Sequence, residues 1–313
     1  GLKSLKSFPY RSKELIVEIS DAFKSDRAMK ALTGLTVYEL EEMIDTFEHH
    51  LEKTFKEIRK VNPRLGRPYK LKTAREKLFY ILFYFKCYPT YDLAGFVFGV
   101  NASTCCRWTD WFSMALRLTL GYEKVLPKRQ IRSPEELFRK FPDLQALLVD
   151  GTERPRRRPQ DSRKQKRHYS GKKKRHTLKN LVVGSPDKKI LILSRTREGK
   201  AHDYSMFKED DIGDGLPEDL LTLVDSGFEG IQKDFPNLQV MKPEKKPRGG
   251  ELSEKQKRRN TMISSVRVVI EHAIGGVKRY AIVADPYRNL REGFEDLVME
   301  ISCGLWNYHL KKS

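Results

Sequence analysis

Apolar residues recur at helical spacing through "LTVYELEEMIDTFEHHLEKTFKEI", Leu35 to Ile58, with Glu and Lys between them, and this pattern predicts amphipathic helix. All of residues 1–70 read as a helical region, closed by a Gly/Pro-punctuated break in "RLGRPYK". "KTAREKLFYILFYFKCYP" follows as an apolar helix ended by Pro89. In "TYDLAGFVFGVNASTCCRWTDWFSMAL" a short helix, Tyr91 to Phe98, meets a turn at Gly99 and Val100. A second helix then opens, with Asn101 or Ser103 as its cap. Small or apolar residues at Ala94, Gly99 and Val100 suit two closely packed helices, the helix-turn-helix pattern, assigned here to residues 71–130. That reading aims Thr104 and Arg107 at a DNA groove, against the alternative of a plain helical hairpin. Trp108 and Trp111 read as core residues rather than as platforms for bases.

Beyond residue 140 the pattern changes from helical to strand-like. "LQALLVDGT" predicts a short strand ending at Asp150, and "HTLKNLVVGSPDKKILILSRT" two strands joined by a turn over Ser185 to Lys189. "AHDYSMFKED" opens a helix, "DLLTLVDSGFEG" is an apolar strand ending at Asp225, and "LQVMKP" is a further short strand. "SEKQKRRNTMISSVRVVIEHAIGGVKRY" predicts a long helix and "REGFEDLVMEISCGLWNYHLKK" a final amphipathic one. Residues 140–313 therefore predict an α/β domain, preceded by an all-α part.

Charge sharpens this picture. The chain of 313 residues carries a formal net charge of +19 and has a pI near 9.7. The excess is focused: between Glu153 and Lys179 stand 13 Lys or Arg against 2 acids, a basic insertion in the α/β domain. Such a field points to a polyphosphate partner, nucleic acid before a lipid surface or a nuclear-localisation signal. Lys172, Lys173, Lys174 and Arg175, together with Arg156, Arg157 and Arg158, are the candidate backbone contacts. No apolar run reaches the roughly 20 residues of a membrane span, and "GLKSLKSFPYRSKELIVEIS" lacks the apolar core expected of a signal peptide. Four cysteines without CxxC spacing indicate neither a disulfide framework nor a zinc knuckle, and reduced thiols in an intracellular compartment are expected.

The candidate chemistry lies in three acids. Asp150 and Asp225 each close a buried strand, and Glu271 sits in the apolar helix "VVIEHAIGGVKRY". Buried carboxylates are costly unless satisfied, and neighbouring ones raise each other's pKa. Three meeting at one point suit a hard divalent cation, Mg²⁺ or Mn²⁺, and two such ions suit phosphodiester displacement. The competing reading is that each acid is an ordinary strand-end or cap residue. His272, about 100° round the helix from Glu271, is expected to pack.

"VDGTERP", "HYSGKKKRHTLKNLVV", "AHD", "LVDSGFEG", "KPRGGELSEKQKRRN" and "SSVRVVIEHAIGGVKR" together resemble the DDE transposases of the IS5 and PIF/Harbinger type. The resemblance is dense from Leu144 to Leu290 and looser over the helix-turn-helix. It implies an RNase H-like mixed sheet flanked by helices, with the catalytic and metal-binding triad at Asp150, Asp225 and Glu271. The related signature Tyr-x2-Arg-x3-Glu-x6-Lys places Arg267 and Lys278 around Glu271 as phosphate contacts or counter-charges, while Ser264 stands at the tyrosine position. His202 and Asp203 are accessory candidates, with capping of the next helix as the alternative. The implied activity is DNA transposition. It would involve binding of terminal inverted repeats, metal-dependent cleavage at the element ends, and transfer of the 3′-OH to target DNA. A homodimer or larger synaptic complex would do this in the bacterial cytoplasm and nucleoid, or in a eukaryotic nucleus. Two alternatives remain: a transposase-derived DNA-binding protein without catalysis, and an RNase H-like nuclease without strand transfer.

Overall fold

The computed structural model describes residues 19–61, 70–247 and 249–312. The first part of the expected N-terminal helical region and most of the "RLGRPYK" break lie outside these residues. Two compact units divide inside one long helix, Leu116 closing the first and Arg117 opening the second.

The first unit is helical. It contains α1 (Ile19–Ala22), α2 (Asp26–Thr33), α3 (Val37–Glu41), α4 (Ile44–Val61), α5 (Ala74–Cys87), α6 (Tyr91–Phe98) and the first part of α7 (Ala102–Tyr122). Hydroxyl caps define the starts: Ser25, Thr36, Thr73 and Thr90 each accept a bond from the first turn that follows. Glu39 and Glu76 close the reciprocal capping boxes of α3 and α5. The core is aromatic, with Tyr80 meeting Phe98, Trp108 and Phe112 edge-on and donating its hydroxyl to the Cys105 carbonyl at 2.9 Å.

The α6–α7 pair is the helix-turn-helix. Gly99 ends α6 in the left-handed conformation, φ 63°, a position where a side chain is strained. Asn101, rather than Ser103, caps α7, accepting from the Thr104 N–H at 3.0 Å. Gly95 packs tightly against the turn and the start of α7: a Cβ there would lie 2.6 Å from the Val100 carbonyl oxygen and 3.4 Å from the Ala102 nitrogen. Both neighbours are backbone and cannot rotate away. Gly95→Ala is therefore expected to destabilise the protein by about 1–3 kcal/mol although alanine favours helix, a loss that thermal unfolding would register. An unchanged or higher melting temperature would contradict the close approach.

The second unit is built on a mixed sheet. Its elements begin with α8 (Pro134–Lys140), β1 (Ala146–Pro155), α9 (Ser162–His168), β2 (Tyr169–Ser170), β3 (Arg175–Gly184), β4 (Ile190–Leu193) and β5 (Arg197–Glu198). They continue with α10 (Asp203–Glu209), β6 (Leu221–Leu223), α11 (Ile231–Asp234), β7 (Val240–Met241), α12 (Glu254–Val277), α13 (Ala281–Ala284) and α14 (Phe294–Lys312). The strand order is β2-β3-β1-β6-β7, with β4 and β5 also pairing β3. β1 runs antiparallel to β3 and parallel to β6, which runs parallel to β7. One core joins Leu147 and Val149 of β1 to Leu181 and Val183 of β3 and to Met206 and Phe207 of α10. α12 buries Ile263, Ile270, Ala273, Ile274 and Val277, and Gly184 leaves the space that the Ile270 side chain fills. This is the helix-flanked, RNase H-like mixed sheet, preceded in the chain by a helical part with a helix-turn-helix, that the sequence led us to expect.

Two expectations need correction. β1 does not stop at Asp150: every residue from Asp150 to Pro155 has a partner on β3, so the acid stands mid-strand. The basic stretch 153–179 is accordingly not one excursion; it begins in β1, forms α9 and β2, and ends inside β3. Its Arg154 is only 1% exposed. There the guanidinium donates to the Asn180 side chain, the Thr196 hydroxyl and the Glu295 carbonyl, and burial pushes its pKa down to about 10.

Candidate active site

The parallel pairing of β1 with β6 sets the site. Its last matched pair is Leu148 with Leu223, and two residues further on stand Asp150, still in β1, and Asp225, just past the end of β6. Both carboxylates reach one guanidinium, so they stand side by side where the β1–β6 pairing ends. β1 continues past this point while β6 ends, which leaves Asp150 22% and Asp225 45% exposed at the side chain.

α12 supplies the third member of the constellation, and it is Arg267. Arg267 lies on the buried stripe of α12, four residues after Ile263 and three before Ile270. Its Nη2 stands 3.3 Å from Asp150 Oδ1 and its Nη1 3.5 Å from Asp225 Oδ1. A single guanidinium thus spans the two acids. Burial pushes the Asp150 carboxyl up to about 6; Arg267 and the Gly151 N–H pull it down, and Asp203 and Asp225 add to the rise.

Glu271 is one turn beyond Arg267 and is exposed, with no ion-pair or hydrogen-bond partner among the described residues. No three His, Cys, Asp or Glu side chains among the described residues lie close enough together to hold a metal ion. Arg267 brings Asp150 and Asp225 together, and Glu271, one turn further along α12, does not complete a three-carboxylate cluster with them. The charged residue that α12 turns toward the sheet is an arginine, and the glutamate stands at the edge of that stripe. His272 is exposed instead of packed, and Ser264 is exposed as well.

The donor set fits a hard cation. Two carboxylates already share one cationic group, and the more buried of them is held partly against ionisation by its surroundings.

The remaining candidates fall into three groups. Lys172, Lys173, Lys174 and Arg175 form the exposed tip of the β2–β3 hairpin, with Lys174 in the left-handed region at φ 52°. Lys278 follows the end of α12; burial and the nearby charge of Lys173 lower its pKa, while Asp150 and Glu153 pull it back. The hairpin tip and Lys278 thus border the acidic site. Arg157 and Arg158 are exposed, Arg158 donating to Gln165. Arg156 is turned inward, with its Nη1 on His168 Nε2 at 2.9 Å, and burial lowers its pKa. His168 Nδ1 meets the Thr177 carbonyl, so that nitrogen carries the proton and the ring accepts from Arg156.

Asp203 packs against Gly151, where a Cβ would come within 2.6 Å of its carboxyl, and pairs with Lys179 at 3.2 Å. Gly151 alternates to the face opposite Asp150, so Asp203 stands behind the acid pair. His202 is exposed at the N-cap position of α10 and makes no side-chain cap bond. In the first unit Arg107 is exposed on α7 and donates to Thr104, whose hydroxyl bonds Asn101. Sequence reasoning missed Arg154 and Lys179. The signal was available in β1: Thr152 and Arg154 continue an inward alternation past Asp150.

The chain carries a helix-turn-helix and, later in its sequence, a mixed sheet with paired acids beside its parallel strands. The family described as "DDE superfamily endonuclease" matches residues 149–307, and "Helix-turn-helix of DDE superfamily endonuclease" matches residues 69–121. The chain belongs to the DDE superfamily endonucleases. It is also 30% identical over 286 residues to "Probable transposase for insertion sequence element IS702" of Microchaete diplosiphon, covering 91% of this chain and 95% of that one. No solved structure matches it.

Proposed function

We propose that the chain is a DNA transposase. The observation that carries this reading is the pairing of Asp150 and Asp225 around one cationic group, in a DDE superfamily endonuclease with a helix-turn-helix unit. The likeness to a protein named as a transposase, over nearly the full length of both chains, supports strand transfer in addition to cleavage.

In this reading Thr104 and Arg107 read the terminal inverted repeats, and the β2–β3 hairpin tip with Lys278 holds phosphates beside the acids. Asp150 and Asp225 would hold Mg²⁺ or Mn²⁺, with Glu271 completing the set once α12 brings it to them, and the ion would supply activation of water and charge for the leaving oxygen. Water oxygen bonds to phosphorus as the P–O3′ bond breaks, leaving a 3′-OH and a 5′-phosphate. The 3′-OH then attacks a target phosphodiester by the same in-line displacement, so one set of acids serves both steps. Two ends must be held together for this, which calls for a dimer or larger assembly. The exposed Glu271 favours one rival, a transposase-derived DNA-binding protein without catalysis.

The test is incubation of the protein with labelled DNA carrying the repeats that flank its gene, with Mg²⁺ or Mn²⁺, beside Asp225→Asn and Glu271→Gln. Nicking at the repeat ends that needs metal and is lost in both variants, with DNA binding retained, is expected. Binding without nicking by the unaltered protein under every metal condition would favour the rival.

A further inference from the structure

Arg267 occupies the position where the acid pair needs positive charge. Its two terminal nitrogens are divided between Asp150 and Asp225, at 3.3 and 3.5 Å. Its side chain is only 12% exposed, and its Nε is buried without a hydrogen-bond partner among the described residues. The backbone of α12 directs it there, because it shares a stripe with Ile263, Ile270 and Ile274. A guanidinium stays protonated at any working pH, so it cannot yield the site by losing its charge. A divalent cation binds carboxylate oxygen at roughly 2.1 Å, closer than the guanidinium stands, and two cations so near one another repel. A cation bound at the same Oδ1 oxygens would therefore compete with Arg267.

We propose that Arg267 is a resident counter-ion. It holds Asp150 and Asp225 at their spacing before metal arrives, leaves them when a divalent cation is bound, and then turns to a DNA phosphate. This rests on the reading of Asp150 and Asp225 as metal ligands. It makes Arg267 a positioning residue that competes with the metal, and it couples the two ligands. Bound DNA offers the released guanidinium a new anion, so DNA raises metal affinity and metal raises DNA affinity by the same factor. Lys278 and Lys173 border the site but contact neither aspartate, which leaves Arg267 as the residue that both ligands bias.

The experiment is calorimetric titration of the full chain with Mn²⁺ alone, and again with a saturating DNA duplex whose phosphodiester bridges are non-hydrolysable. The proteins are the unaltered chain, Arg267→Gln and Arg267→Lys, each with and without Asp225→Asn. Arg267→Gln is expected to bind Mn²⁺ about tenfold more tightly than the unaltered chain and to lose most of the enhancement by DNA. Arg267→Lys, which keeps the charge but not the two-nitrogen fork, is expected to fall between them. A residue that merely supports the fold would lower metal affinity when removed, so a gain cannot come from partial unfolding. Equal or weaker Mn²⁺ binding by Arg267→Gln, with Asp225→Asn still abolishing it, overturns the counter-ion role and leaves the ligand reading intact. Mn²⁺ binding that Asp225→Asn does not alter in any background overturns the ligand reading, and the counter-ion role with it.

Discussion

Asp150→Asn is expected to abolish metal-dependent strand cleavage and, with metal chelated at about pH 7.5, to raise the melting temperature by several degrees. The two effects have one cause. Burial lifts the Asp150 carboxyl to about 6, so near neutrality the folded protein keeps a charge that its surroundings disfavour. For an acid whose pKa is higher folded than unfolded, the penalty is absent below the unfolded value, near 4. It grows as pH rises and is complete above about 6. A shift of about two units, in which the pull of Arg267 is already included, is worth up to about 3 kcal/mol. The amide should therefore melt higher near pH 7.5 and level with the unaltered protein near pH 4, by differential scanning calorimetry. Added Mn²⁺ should reverse the order, because only the carboxylate gains binding energy from it. Cleavage should fall by at least ~10³-fold, as expected when a metal-binding charge is removed at the reacting centre. An amide variant that melts lower near pH 7.5 without metal would mean that Arg267 already compensates the charge in full.

The legible and illegible parts of this molecule separate by range. The helices of the first unit follow from apolar spacing and, at α2, α3, α5 and α6, from hydroxyl caps, both of which act within a few residues. Asp150 and Asp225 stood out because acids in apolar strand contexts are expensive, and the β1–β6 register then aligned them. The length of β1 was hidden. "DGTERP" reads as polar loop, and only its ladder with β3, which departs some 20 residues later, holds it extended. Arg154 was hidden for the same reason: inside a basic run it looks solvated, and its partners Asn180, Thr196 and Glu295 are remote in sequence. The orientation of α12 was half legible. Its charged residues were identifiable, but the few tens of degrees that separate a residue on the buried stripe from one at its edge decide between Arg267 and Glu271. Tertiary packing at Ile270 against Gly184 settles that rotation, and no local pattern reports it.

Neutralising the hairpin tip with Lys172→Gln, Lys173→Gln, Lys174→Gln and Arg175→Gln together is expected to weaken duplex binding by about a hundredfold near 0.15 M salt. The tip projects from two short paired stretches, Tyr169 with His176 and Ser170 with Arg175, and all four side chains are exposed. They make no contact that the core requires, so the melting temperature should stay nearly constant. Each phosphate contact contributes about 0.9 to the slope of log affinity against log salt, so losing three or four contacts should flatten that slope by about three. Because the tip bonds no base in this reading, random and repeat-bearing duplexes should lose affinity alike. Thr104→Ala with Arg107→Ala, in the helix-turn-helix, should do the reverse and narrow the preference for repeats with little change in slope. The proximity of Lys173 to Lys278 adds a further consequence. With Lys173 neutral, Lys278 loses a repelling neighbour and its pKa should recover toward the ordinary value, which is measurable by lysine-selective NMR titration. A quadruple variant that binds duplex as tightly and as salt-dependently as the unaltered chain would assign the phosphate track to another basic surface, and Arg157, Arg158 and α9 would be the next to neutralise.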